Sequence, residues 1–187
     1  MKILIIIAML MLCVGFVSGE TIYMEPSRDT LRAEDDPDTP YGDAESIMVG
    51  YSNGKQEILV DFNFSELKGT NIEEAYLVLN CQIFYQSNMQ EEDKVILYNN
   101  DNGWVESTHT YNDFLFFGPE DNITEIPLKD LCGSEIPLDL DWLNDAIKYE
   151  ANNEGLALFP LFNSGEPRVA VFPSKESYLE EPGLKLK

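Results

Sequence analysis

One histidine, three cysteines and thirty-four carboxylates bound the chemistry open to this 187-residue chain. His109 lies in Trp104-Val105-Glu106-Ser107-Thr108-His109-Thr110, beside a serine and a glutamate, the residue types of a hydrolytic triad. Triad members converge from separated positions and work with an oxyanion hole. Three neighbours within one short stretch do not meet that requirement. A histidine-based zinc site needs more histidines than one. Paired carboxylates could serve a glycosidase, which sets two across a cleft at a defined separation. In a chain so rich in acids a pair occurs at any spacing, so abundance points to a solvated acidic surface instead. Catalysis is not expected.

Two other chemistries fit better. Glu34-Asp35-Asp36-Pro37-Asp38 carries four acids in five residues, with Asp43 and Glu45 following. Hard cations take several oxygen ligands, so Asp35, Asp36 and Asp38 are candidate calcium ligands, although the stretch lacks the EF-hand pattern and reads equally as a soluble acidic loop. Ten Phe, nine Tyr and two Trp supply aromatic faces. An exposed ring can stack on the apolar C–H face of a pyranose while neighbouring polar groups fix hydroxyls. Tyr41, Tyr51, Tyr85 and Tyr111 are candidate platforms, and each also suits packing along a strand. Trp104 reads as a core anchor.

The charge narrows the partners. Twelve basic residues against thirty-four acidic ones give a net −22 and a pI near 4.1. Nucleic acid is excluded, because phosphate contacts need Lys and Arg. Anionic membrane surfaces and polyanions are disfavoured. At 44% hydrophobic residues the chain is too apolar for a disordered acidic tail. Lys2 followed by the apolar run Ile3 to Val17, with Val17-Ser18-Gly19 before Glu20, reads as a secretory signal peptide over residues 1–19. The run falls short of the roughly 20 residues of a membrane span, and no membrane association is expected beyond it. Residues 20–187 form the single expected domain, secreted or at the cell surface. Cleavage there leaves 11 basic and 34 acidic residues, a net −23. It also leaves two cysteines, Cys81 and Cys132, an even number that permits a disulfide or two buried thiols. Asn63-Phe64-Ser65 and Asn122-Ile123-Thr124 are N-glycosylation sequons.

Short strands dominate the elements that must position these groups. Ile58, Val60, Phe62 and Phe64 alternate with Glu57, Leu59, Asp61 and Asn63, the period of a half-buried strand. A longer alternation runs from Ala75 to Tyr85. Further strands are predicted at Ile22–Met24, Ser46–Tyr51, Val95–Tyr98, Phe114–Phe117, Gly155–Phe159, Arg168–Phe172 and Leu184–Leu186, separated by turn residues such as Ser52-Asn53-Gly54, Asp101-Asn102-Gly103 and Asn163-Ser164-Gly165. Leu140, Leu143, Ile147 and Ala151 recur at helical spacing, with Asp139 or Asp141 as cap and Gly155 past the end. Nine or ten strands and one short helix near 140–151 predict an all-β, jelly-roll-like β-sandwich.

Several landmarks occur together in order: Asp36-Pro37-Asp38-Thr39-Pro40-Tyr41-Gly42, Ser46-Ile47-Met48-Val49-Gly50, Leu59 to Ser65, Ala75 to Leu79, Gly103 to Asn112, Asn153 to Leu158 and Glu181 to Leu186. In that order and spacing the chain resembles the DNRLRE family, a disaggregatase-related domain grouped with carbohydrate-binding modules. The resemblance implies a jelly-roll-like sandwich on secreted or surface proteins that binds polysaccharide or cell-surface glycan, often beside a catalytic domain. On charge, a neutral or cationic glycan is favoured over a polyanionic one, unless calcium bridges the charges. The alternative is a structural subunit of a surface layer, matrix or filament, self-assembling through its N-terminal strand.

Overall fold

A computed structural model describes residues 21–84, 92–100, 102–118, 122–149, 155–162, 166–177 and 182–187. The predicted leader, Tyr85 and the turn residues 101, 163–165 and 181 lie outside the described residues. The strands are β1 (Ile22–Met24), β2 (Arg28–Ala33), β3 (Ser46–Tyr51), β4 (Lys55–Asp61), β5 (Ala75–Leu79), β6 (Ile83–Phe84), β7 (Lys94–Asn99), β8 (Asn122–Pro127), β9 (Ser134–Pro137), β10 (Leu156–Pro160), β11 (Arg168–Pro173) and β12 (Gly183–Leu186). One α-helix, α1 (Leu140–Tyr149), and short 3-10 turns at Phe64–Leu67 and Leu128–Asp130 complete the described elements.

The strands form two antiparallel sheets. The smaller has the order β1-β12-β5-β9; the larger runs β6-β11-β3-β4-β10-β7-β8, with β2 paired to β4. Alternation explains how they meet. Ala75, Leu77 and Leu79 of β5 and Leu184 and Leu186 of β12 face Ile58 and Val60 of β4, Val95 and Leu97 of β7 and Leu156 and Leu158 of β10 in one buried core. Phe64 and Leu67 from the first 3-10 turn and Leu143, Ala146 and Ile147 from α1 pack into the same core. Asp139 starts the helix, accepting from the backbone N–H of Asp141 at 2.7 Å and of Trp142 at 3.1 Å; this satisfies two of the donors a helix N-terminus leaves open.

The all-β sandwich with one helix is therefore the fold that forms, with twelve described strands. Three expectations change in detail. The alternation from Ala75 to Tyr85 is not one strand: β5 ends at Leu79 in the small sheet, and β6 joins the edge of the large one. Strands β2, β8 and β9 carry charged, proline or threonine residues that hid them from a hydrophobic pattern. Phe114–Phe117 is not a strand, since it pairs with no ladder partner. A further difference concerns β4. Its outward residues Glu57, Leu59 and Asp61 are buried like its inward ones, because a loop covers that face. In β5, by contrast, Tyr76 and Val78 remain half-exposed.

Cys81 and Cys132 are joined by a disulfide that closes a 51-residue separation. It ties the segment leaving β5 to the start of β9, next to the Leu79–Ser134 pair. A cross-link of that span restricts the unfolded chain and contributes roughly 4 kcal/mol on the chain-entropy model. Replacing both cysteines by serine is expected to lower the unfolding free energy by about that amount in denaturant titration. A variant as stable as the parent would show that the link adds nothing to the folded state.

Candidate functional site

The outer face of the large sheet carries an unusual row of charge. In the β2–β4 register, Arg28 lies opposite Asp61, Thr30 opposite Leu59 and Arg32 opposite Glu57. Paired residues of neighbouring strands share a face, so both arginines point away from the main core. Arg28 Nε donates to Asp61 Oδ2 at 2.9 Å. Arg32 Nη1 donates to Glu57 Oε2 at 2.6 Å, with each side chain only 6% exposed. Ala157 lies across from Leu59, and Tyr98 across from Ala157.

Residues 102–118, which contain neither helix nor strand, lie over this face. Leu59, Trp104 and Ala157 form a second buried cluster there, flanked by Tyr98, Leu115, Phe117 and Phe159. Phe117 stacks on Tyr98 with centroids 4.7 Å apart and meets Phe159 edge-on at 5.1 Å. The loop backbone is held by the arginines. Arg28 Nη1 donates to the Trp104 carbonyl while its guanidinium sits 4.5 Å above the indole ring. Arg32 donates from Nε to the Thr110 carbonyl, and from Nη2 to the carbonyls of Tyr111 at 3.0 Å and Asp113 at 2.7 Å. The opposite wall fits as closely. A Cβ on Gly42 would stand 2.3 Å from the Glu106 carbonyl oxygen, so only glycine lets the 36–42 turn approach the loop.

Two clefts open along the loop. One of about 330 Å3 is lined by Trp104, Thr108, His109, Asp113 and Phe114 among others; the other, about 320 Å3, by Arg32, Glu57, Tyr111, Asp113, Phe114 and Phe159 among others. Asp113 and Phe114 belong to both. The Phe114 side chain is 83% exposed, and Phe116 and Val105 are exposed beside it. Its backbone is nevertheless fixed on both sides. Arg32 holds the Asp113 carbonyl, and Asn102 brackets Phe116, accepting from its N–H at 3.2 Å and donating to its carbonyl at 2.9 Å. The result is an aromatic ring presented to solvent on a rigid mount, between two depressions.

The charged groups here are individually tuned. Burial pushes the Glu57 carboxyl up to about 7, against the downward pull of Arg32. Burial, helped by Arg32, lowers His109, whose ring meets Trp104 edge-on and whose Nε2 is buried without a hydrogen-bond partner. The Thr110 backbone N–H, donating at 2.6 Å, is the main cause holding Asp113 below the usual carboxylate range. Glu106 accepts from the Asp29 N–H and pairs with Lys175, while Ser107 is exposed. Glu106, Ser107 and His109 are thus not assembled as a triad.

Of the four candidate tyrosines, the fold brings Tyr111 to the clefts. Its ring lies 5.3 Å from the Arg32 guanidinium, and burial is the first cause raising its hydroxyl pKa. Tyr41 packs against the main core and donates to Asp36 Oδ2 at 2.8 Å. Tyr51 ends β3, opposite Arg168 and Lys55. Asp35, Asp36 and Asp38 are spent on different partners, accepting from Gln56, from Thr39 and Tyr41, and from Asn112 respectively. Among the described residues no group of three or more carboxylate, His or Cys side chains is arranged to hold a metal. Asn63 is exposed and caps the first 3-10 turn; Asn122 opens β8. Arg32, Glu57 and Phe114 escaped the sequence reading. Arg32 and Glu57 had one signal, the charges of Arg28-Asp29-Thr30-Leu31-Arg32 against those of Glu57-Ile58-Leu59-Val60-Asp61; Phe114 had none.

Such an arrangement, a β-sandwich that displays an anchored aromatic loop on one outer face, defines a ligand-binding module built on a rigid scaffold. Residues 20–114, just over half of the chain, match carbohydrate-binding module family 96, and the chain belongs to that family. Comparison with curated proteins gives no match.

The elevated Glu57 carboxyl has a measurable consequence. The unfolded chain ionises this residue near the ordinary glutamate range, the folded one only near 7. Its contribution to stability is therefore whole below about pH 4.5 and is lost as pH rises through about 7. Glu57→Gln removes the titrating proton and keeps an oxygen for Arg32. Denaturant titration from pH 4.5 to 8 is expected to show the variant gaining on the native protein by on the order of 2 kcal/mol. A constant difference across that range would mean that the Arg32 pair, not burial, governs the carboxyl.

Proposed function

We propose that this chain is a secreted, non-catalytic carbohydrate-binding or adhesion module of the DNRLRE type. In this reading its glycan stacks on Phe114 and settles into the two clefts beside it. The observation that carries this is the Phe114 ring: 83% exposed, on a backbone that Arg32 holds at Asp113 and Asn102 holds at Phe116. A solvent-facing phenyl group gains nothing from the fold, whereas a held backbone lowers the cost of ordering the loop around a ligand. The predicted leader, the disulfide and the two sequons support an exported, surface-associated or extracellular location. In this reading calcium acts as a bridge to the glycan, since the Asp35, Asp36 and Asp38 carboxylates already accept from Gln56, from Thr39 and Tyr41, and from Asn112.

A structural subunit of a surface layer or filament is the second reading. It is favoured by β1, which lies at the edge of the small sheet with Tyr23 70% exposed. Concentration-dependent assembly of the exported protein in sedimentation, lost on removing residues 20–25, would support this reading; a strict monomer would sink it.

Phe114→Ala is expected to reduce glycan binding about tenfold or more on an array or by calorimetry. The melting temperature should stay unchanged, because the ring packs on nothing. Undiminished binding by the variant would move the site elsewhere on the sandwich.

A further inference from the structure

The Phe114 clefts are rich in hydrogen-bond acceptors and poor in available cations. Their one guanidinium, that of Arg32, has all three nitrogens engaged with Glu57 and with the carbonyls of Thr110, Tyr111 and Asp113. Among the described residues no lysine lines either cleft. His109 is nine-tenths buried, with an Nε2 that lacks a partner. Asp113, at the junction of the two clefts, is a half-exposed carboxylate. Its Oδ2 accepts from Thr110, and its Oδ1 makes no hydrogen bond among the described residues. Asn112 spends one of its two amide N–H groups on Asp38 at 2.6 Å, which leaves its carbonyl oxygen as an acceptor beside the remaining N–H.

A ligand that complements such walls must bring the donors and the positive charge itself. A carboxylated or sulfated sugar would set anion against Asp113 with no available cation to receive it. A protonated amine offers three donors to Asp113, is attracted to the π-face of Phe114 standing beside it, and is drawn by the field of a chain at net −23 once the leader is removed. We propose that the sugar held at Phe114 carries a free amine, so that the ligand class is a 2-amino-2-deoxy glycan rather than a uronate, sulfated or fully N-acylated one. This assignment rests on the glycan reading of the same clefts.

Calorimetry of the exported protein with three oligosaccharides of equal length tests it: glucosamine, N-acetylglucosamine and a uronic acid. The glucosamine oligomer is expected to bind at least about tenfold tighter than its acetylated counterpart, with the uronate weakest. Asp113→Asn keeps an oxygen for Thr110 and should erase most of that preference. Glu135→Gln, an exposed acid on β9 in the other sheet, should leave it intact, which separates a site from general attraction of a polyamine to an acidic protein. Tighter binding of the acetylated or uronate oligomer, or an equal loss in both acid variants, overturns the amine assignment while leaving glycan binding standing. Binding that Phe114→Ala does not weaken, or no binding by any of the three, overturns the assignment and sends the glycan reading to a wider panel, where a blank result ends it.

Discussion

A single guanidinium organises the outer face of this sandwich. Loop 102–118 has no ladder to satisfy its carbonyls, and a loop laid over a sheet would bury polar groups without partners. Arg32 resolves this by donating to three of those carbonyls while Glu57 neutralises it from beneath. A rigid planar donor fork suits the task, as a lysine could not reach several carbonyls at fixed angles. Removing the charge would leave both the carbonyls and Glu57 stranded, and a broken buried pair costs about 3–5 kcal/mol. The same interaction fixes the carbonyl just before Phe114. The stability of the loop and the position of the ring therefore have one cause.

Coverage of the second face also explains the energetics of the large sheet. Leu59 and Ala157 point outward yet are fully buried, and burying a leucine side chain contributes about 1.5–3 kcal/mol. The loop secures itself by supplying Trp104, Leu115 and Phe117 to that surface. It leaves Phe114 and Phe116 outside because an extended segment alternates its side chains. Among the described residues no such loop covers the small sheet, and its Tyr76 and Val78 stay half-exposed. A module of carbohydrate-binding family 96 thus shows one dry, charged and layered face and one ordinary one.

Particular residues show how far sequence patterns reached. The alternation in β5 and the apolar residues of β7, β10 and β11 were legible because half-buried strands repeat every second residue. The cap was legible as Asp139 or Asp141, because short polar side chains before an apolar helix favour that place, and the backbone donors of Asp141 and Trp142 decided for Asp139. The apolar run Phe114–Phe117 reads as a strand but is an extended segment that partly packs on aromatic rings; an apolar run does not report whether a ladder forms. Strand β2 was missed because Arg28-Asp29-Thr30-Leu31-Arg32 looks like surface. Arg32 is buried and Arg28 half-buried only because chain 76 to 81 residues away supplies the carbonyls.

What the sequence by itself determined is the class of object: an acidic chain of short strands that close as a sandwich on an apolar core. These follow from composition and local periodicity, which act over a few residues. Only the tertiary structure decided which of twenty-one aromatics faces solvent on a fixed mount, which arginines are spent internally, and where two clefts share one carboxylate. Those outcomes depend on long-range pairing of β2 with β4 and on the loop that crosses them. Side chains of the same type meet opposite environments there, and no local pattern distinguishes Phe114 from Phe117.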